Sequence, residues 1–281
     1  MTSIPQTATV TGRGRPGLLG LCWSRTVVEL RQFFRLPDAV FFSFLLPVLF
    51  VVIFSSVFNE DIEGPPGVEP VPFPQYFAAG MIAAGIMSTS FTALATSIAN
   101  EQHNGTLKRL GGTPLPKTAY FAGKVMLALI TSALQTTIIL SIGIAFYDMS
   151  LPTDPELLGL FAAVFVLGVA SCSMMGIAYT WVIRNANAAA AVVQPPYLVL
   201  QFISGVFFVY SDVPRFLQIV ASLFPLKWMV QGLRQVFLPD WVAVDDYGGS
   251  WQTEWVIVVL VLWTVGSLLV ARRTFKWDRS G

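Results

Sequence analysis

The sequence predicts an all-α, polytopic membrane protein with six transmembrane helices, and three observations lead there. Hydrophobic residues make up 54% of the 281 positions and charged residues only 12%, about half the roughly 25% usual in a soluble domain. Six long stretches carry no Asp, Glu, Lys, Arg or His. The connections between them alternate between basic and acidic. A soluble chain this apolar would expose large sticky patches, whereas a bilayer accepts an apolar outer surface. At roughly 20 apolar residues per crossing, six spans with short loops account for the length and leave no room for a further folded domain.

The elements follow in order. Residues 1–17, polar with Arg13 and Arg15, are expected to be a flexible N-terminus without the apolar core and cleavage site of a signal peptide. Residues 18–36 are amphipathic: Leu19, Val27, Leu30 and Phe34 can share one helical face, and Arg25, Glu29 and Gln32 another. That pattern predicts a helix lying in the membrane interface; an ordinary cytoplasmic lead-in is the alternative. The charge-free runs are 39–58, 76–99, 125–147, 157–183, 186–210 and 255–271. With their flanks, the spans are placed at about 39–58, 76–99, 119–147, 157–183, 186–210 and 253–271. The last is short but flanked by Trp251, Trp255 and Trp263, a residue type that favours the membrane boundary. The runs are continuously apolar, unlike the alternating strands of a membrane barrel. Pro47, Pro195 and Pro196 inside them are read as kinks, tolerated where neighbouring helices satisfy the freed carbonyls. Residues 213–238 mix apolar runs with Pro214, Arg215, Pro225, Lys227 and Arg234. They are too interrupted to span and too apolar for a free loop, so an outer re-entrant hairpin or a surface helix pair is expected.

Charge sets the orientation. The N-terminal segment, the second and fourth connections and the C-terminal tail together hold 14 of the 17 basic residues. The first connection has Glu60, Asp61, Glu63 and Glu69, the third Asp148, Asp154 and Glu156, and neither has Lys or Arg. The positive-inside rule puts the basic side, with both termini, in the cytoplasm.

Several function classes lack their residues. There is one histidine, His103, and no HExxH, CxxC or GxSxG, which leaves a metalloenzyme or serine hydrolase without its parts. Cys22 and Cys172 lie far apart in unlike regions and read as two small buried residues. No GxxxxGK[ST] loop occurs; Gly123-Lys124-Val125 is the nearest echo. The chain therefore has no ATPase motif. Uncharged spans also weigh against a proton- or sodium-coupled carrier.

The second connection is the most informative. It runs Glu101-Gln102-His103-Asn104-Gly105-Thr106-Leu107-Lys108-Arg109-Leu110 into Gly111-Gly112-Thr113-Pro114-Leu115-Pro116. The glycines and prolines stop a short helix on which Leu107 and Leu110 offer an apolar face beside Lys108 and Arg109. Such a helix can dock into a groove on a soluble partner; a solvated basic loop that only sets topology is the other reading. Its Glu101, Gly105-Thr106-Leu107, Arg109-Leu110 and Thr113-Pro114-Leu115 resemble the cytoplasmic loop of bacterial ABC-2 type permeases, the membrane subunits of type-2 ATP-binding-cassette exporters. A second block resembles that family's fifth span and outer segment: residues 200–208, Val213-Pro214, Phe216-Leu217, Phe224-Pro225-Leu226 and Gly232-Leu233-Arg234. Gln102, His103 and Gly111-Gly112 depart from its pattern.

The resemblance covers nearly the whole chain and implies one ABC-2 type transmembrane domain over residues 1–281. It implies that 101–113 is a cytoplasmic coupling loop whose Glu101, Gly105, Thr106, Leu107, Lys108, Arg109, Leu110 and Thr113 contact an ATPase. Pro214, Pro225 and Arg234 would lie in the outer re-entrant segment. It implies two copies of an ABC ATPase subunit that carry the ATP and Mg, no cofactor on this chain, and a second permease chain as homodimer or heterodimer. The site is a bacterial cell membrane, with lipid as a neighbour and no nucleic acid. The expected function is outward export of an apolar or amphiphilic substrate such as a drug, lipid or lipid-linked glycan. Ser88, Thr92 and Thr96 on the second span and Gln194 and Gln201 on the fifth are candidates to line the pathway, although bonds between helices account for them equally well. The rival readings are a secondary carrier or channel that needs no ATPase, and a membrane enzyme.

Overall fold

Residues 18–36 open with helix α1, Leu18–Phe34. Pro37, placed where a helix's first N–H has no partner in any case, starts α2, Pro37–Val57. The chain then returns through α3, Phe73–Met87, a five-residue π-helical turn, Ser88–Thr92, and α4, Ala93–His103. A short helix, α5, Thr106–Gly111, leads into α6, Lys117–Tyr147. Asp154 caps α7, Pro155–Tyr179, by accepting from the Glu156 N–H at 3.0 Å. The remainder is α8, Ala189–Ile203, α9, Arg215–Ser222, α10, Pro225–Phe237, and α11, Thr253–Thr274. This computed structural model describes residues 17–58, 61–275 and 277. Among them no strand forms beyond a single bridge between Ile62 and Val71.

Among the described residues, five helical segments are long and apolar enough to cross a membrane: 40–57, 73–103, 117–147, 155–179 and 253–274. The pair α9 and α10, bent by 95° at a short break, makes a sixth if taken as one broken span. The segment 73–103 is the buried centre around which the others pack. Its small residues explain why, since Gly and Ala let neighbouring backbones approach closely. α7 crosses the π-helical turn backbone to backbone: a Cβ on Gly176 would lie 2.9 Å from the Phe91 carbonyl oxygen and 3.1 Å from that of Ser90. Nearby, the Thr89 and Ser132 hydroxyls bond α6 to the same turn at 2.5 Å.

Three sequence expectations change here. The fifth apolar run, 186–210, is not one long helix. α8 has 15 residues, about 22 Å at 1.5 Å each, because Gly205 turns the chain with φ of 75° and lets it pack on Tyr210. Trp263 does not flank the last helix. It lies mid-helix in α11, where its Nε1 donates to the Leu223 carbonyl at 2.8 Å and its ring stacks on Phe224. The tip of the α9–α10 hairpin thus reaches the middle of α11. Finally, charge does enter the protein body. α6 carries Lys124, just ahead of the charge-free run 125–147, and α10 carries Lys227 and Arg234; all three are buried.

Arg234 and Lys227 are buried against aromatic and polar partners. The Arg234 guanidinium donates to the Gly205 carbonyl and sits 3.8 Å from the centre of the Tyr76 ring. Lys227 lies 3.9 Å over the Trp228 ring, donates to Gln231 and approaches Asp246 to 3.8 Å. A smaller apolar cluster of Val71, Tyr76, Leu238 and Val242 closes this end.

Candidate functional site

The connection between the second and third apolar segments folds as its residues dictate. Gly105, with φ of 69°, turns the chain out of α4 in a conformation that residues with a Cβ rarely adopt. Six residues of α5 follow. The Thr113 hydroxyl donates to the Leu110 carbonyl at 2.6 Å, which satisfies one of the carbonyls a helix end leaves open. Leu107 points inward and is fully buried; Leu110 is half-buried. The expected free apolar face is therefore turned into the chain's own core, because a leucine at the foot of the bundle gains more by filling it than by facing water. What α5 presents outward is Lys108 and Arg109, with His103 and Asn104 exposed beside them.

Beneath α5 lies a cluster the sequence reading missed. Lys124 of α6 donates to Glu101 at 2.5 Å, to Glu29 of α1 at 2.8 Å and to the Ser97 hydroxyl at 2.9 Å. Arg25 pairs with Glu29 and stands 3.8 Å from Glu101. The Tyr120 hydroxyl donates to Glu101 at 2.7 Å, and the Arg25 guanidinium lies 5.2 Å from the Tyr120 ring centre. Two cations and two carboxylates balance, as a buried ionic group must. Gly123 permits the contact: a Cβ there would lie 2.6 Å from Arg25 Cγ. The faint signals were the Arg25–Glu29 spacing of one helical turn and a lone lysine just ahead of an apolar run.

This cluster inverts the expected burial of α1. Its polar face, Arg25, Thr26 and Glu29, is buried on α6, while Leu18, Leu19, Trp23, Val28 and Phe34 are exposed, Leu19 to 86%. The C-terminal tail joins the same unit. Trp277 packs on Gly111 of α5, where a Cβ would lie 2.9 Å from its own. Its ring is 5.5 Å from those of Tyr120 and Phe275. Phe275 meets Phe121 at 4.7 Å and accepts from Lys117 Nζ at 3.4 Å through its carbonyl. The middle of α1, the start of α6, the end of α4, α5 and the tail are one packed assembly.

The other sequence-selected residues lie elsewhere. Ser88 and Thr92 fall in the π-helical turn, with Thr92 buried and Ser88 and Thr96 half-buried. Gln194 is exposed; Gln201 is buried and donates to the Tyr197 hydroxyl at 2.7 Å, which donates to the Ala84 carbonyl at 3.2 Å. Pro214 and Pro225 start α9 and α10, and Arg234 is held as described.

Known proteins share this sequence pattern. The profile for ABC-2 type transporters matches residues 18–238. The chain is 26% identical over 175 residues to the "Probable multidrug ABC transporter permease YbhR" of Escherichia coli (strain K12), covering 62% of this chain and 45% of that protein. It is 20% identical over 240 residues to the "Putative transport permease YvfS" of Bacillus subtilis (strain 168), covering 85% and 91% respectively. The chain thus spans under half the length of the first relative. With the profile covering more than three quarters of its residues, the chain belongs to the ABC-2 type transporter family.

Proposed function

We infer that this chain is the membrane-spanning permease subunit of an ATP-binding-cassette exporter, driven by a separate ATPase that docks around α5. One observation carries the reading. α5 exposes Lys108 and Arg109 while its inner side is fixed by Leu107 and its foot by the ion pairs of Glu101. A short helix held this firmly transmits a push to α1 and α6 instead of yielding to it. Leu107 anchors the helix; Lys108, Arg109 and the exposed Thr113 are the contact, with Gly105, Thr106 and Leu110 shaping it.

The rest follows from charge and packing. The basic connections support a cytoplasmic position for α5, both termini and the ionic cluster. The outward apolar face of α1 suits a helix lying in the interface with its leucines and tryptophan in lipid. The α9–α10 hairpin, whose tip meets mid-α11, suits a segment that enters from outside and turns back. Two permease chains and two ATPase subunits would form the working complex in a bacterial cell membrane. ATP binding draws the ATPases together, the α5 helices move, and an apolar or amphiphilic substrate (a drug, lipid or lipid-linked glycan) leaves outward. One relative's name includes a multidrug description, in keeping with an amphiphilic cargo.

The test is isolation of the full chain from its own membranes in mild detergent. A stoichiometric protein with a phosphate-loop motif should accompany it, and ATP hydrolysis should belong to the complex and not to the permease alone. Transport by the purified chain without any ATPase would instead establish a self-sufficient carrier.

A further inference from the structure

Between the end of α8 and the start of α9 the surface is hollowed into two joined spaces. The larger, about 660 Å3, is lined by Ser211, Asp212, Pro214, Arg215, Gln218 and Gly248 among others. The smaller, about 270 Å3, shares Asp212, Val213 and Pro214 with it and is otherwise apolar, between Phe202, Phe208 and Leu217. The first volume falls in the range of small-molecule sites, roughly 300–1,000 Å3.

The frame is built. Gln218 of α9 donates from Nε2 to the carbonyls of Tyr210 at 3.0 Å and Val213 at 2.8 Å, and its own carbonyl accepts from the Tyr210 hydroxyl at 2.9 Å. These bonds lock the 210–213 turn against α9, so the positions of Asp212 and Arg215 are fixed relative to each other. Neither is ion-paired within the described part of the chain. A carboxylate and a guanidinium therefore share one rigid concavity, and neither is paired with another charge among the described residues. Beside it an apolar slot opens among exposed side chains, Phe202 and Phe208.

The geometry points to a binding site for a zwitterionic amphiphile, one whose head carries an anion and a cation and whose tail is apolar. Arg215 would take the phosphate or other anion, for which its planar fork is suited. Asp212 would take the ammonium, and the slot beside Phe202 and Phe208 the first part of the tail. A purely anionic head would leave Asp212 facing like charge, and a purely cationic one would do the same to Arg215; the pair selects for a head with both. That such a molecule binds rests on this concavity alone. That it is the exported cargo rests on the function proposed above.

Native mass spectrometry of the purified full chain gives the test, with dioleoylphosphatidylethanolamine, dioleoylphosphatidylglycerol and the cationic dioleoyltrimethylammonium-propane offered at equal concentration. The wild-type chain should retain the zwitterionic lipid at least tenfold better than either other. Asp212→Asn should shift the preference towards the anionic lipid, and Arg215→Gln should lower retention of both phospholipids. Both side chains are exposed, so these variants should fold as the parent does. Equal retention of the three lipids, unchanged by either substitution, would show surrounding lipid only and overturn the site. So would single variants that fall to monomers and a charge-swapped Asp212→Arg/Arg215→Asp chain that regains the dimer, because the two residues would then be pairing across copies. In the complex with its ATPase, stimulation of hydrolysis by phosphatidylethanolamine in wild type and not in Arg215→Gln marks the lipid as cargo. Retention without stimulation marks a resident lipid at the same site.

Discussion

Lys124 of α6 reaches Glu101 at the end of α4 over 2.5 Å, and the same ammonium reaches Glu29 of α1 over 2.8 Å. One buried side chain thus joins three helices beneath α5. Removing a partner from such a group leaves uncompensated charge, at a cost of about 3–5 kcal/mol. Lys124→Met should therefore be strongly destabilising. Lys124→Met combined with Glu101→Gln should lose less than the two single changes summed, because Arg25 and Glu29 remain a neutral pair. Denaturant unfolding in detergent micelles measures all three; strict additivity would mean that the pair does not interact.

The tail contact is tested by covalent chemistry. The Cβ position of Gly111 lies 2.9 Å from that of Trp277, shorter than the 3.5–4.5 Å of a disulfide, so a slight outward shift of the tail brings the pair into bonding range. In a chain with Cys22 and Cys172 replaced by alanine, Gly111→Cys with Trp277→Cys should cross-link under mild oxidation. Disulfide-linked peptides seen by mass spectrometry would establish it. Their absence at full oxidation would place the tail elsewhere.

Packing at the π-helical turn allows a paired comparison. Gly176 faces backbone carbonyls at 2.9 and 3.1 Å, which cannot yield, whereas a Cβ on Gly266 of α11 would meet nothing within 4 Å. Gly176→Val should destabilise by about 1–3 kcal/mol, as overpacking does. Gly266→Val should stay within about 0.5 kcal/mol. Equal effects in thermal unfolding would mean that α7 does not cross the turn at this point.

The buried guanidinium on α10 should resist conservative replacement. Arg234 stacks on Tyr76 and donates to Gly205 at once, a geometry an ammonium cannot copy. A desolvated cation–π contact contributes about 2 kcal/mol, so Arg234→Lys should lose roughly that much and Tyr76→Leu a similar amount. Stability measured by unfolding in micelles checks both.

How much was legible in the sequence depended on which force placed each residue. The apolar runs behind α2, α3–α4, α6, α7 and α11 could be read because bilayer thickness and the absence of charge dictate them. The fifth run misled because hydropathy does not register Gly205, whose positive φ ends α8. In sequence Lys124 counts among the basic residues of the second connection, since a lysine's charge looks the same whether solvated or paired. Its partners Glu29 and Glu101 lie 95 and 23 residues away, and only folding brings them together. Sequence alone marks Leu107 as a docking residue because helical periodicity shows that a face is apolar without showing which neighbour it meets.

The central claim is that work enters through the exposed basic edge of α5. Lys108→Glu with Arg109→Glu reverses that edge while leaving Leu107 and the ionic cluster in place. Capture of the phosphate-loop ATPase by this variant, compared with the parent chain at equal expression, is the measurement. We expect capture to fall at least tenfold with thermal stability unchanged. Undiminished capture and undiminished hydrolysis by the complex would contradict the assignment of α5 as the ATPase contact.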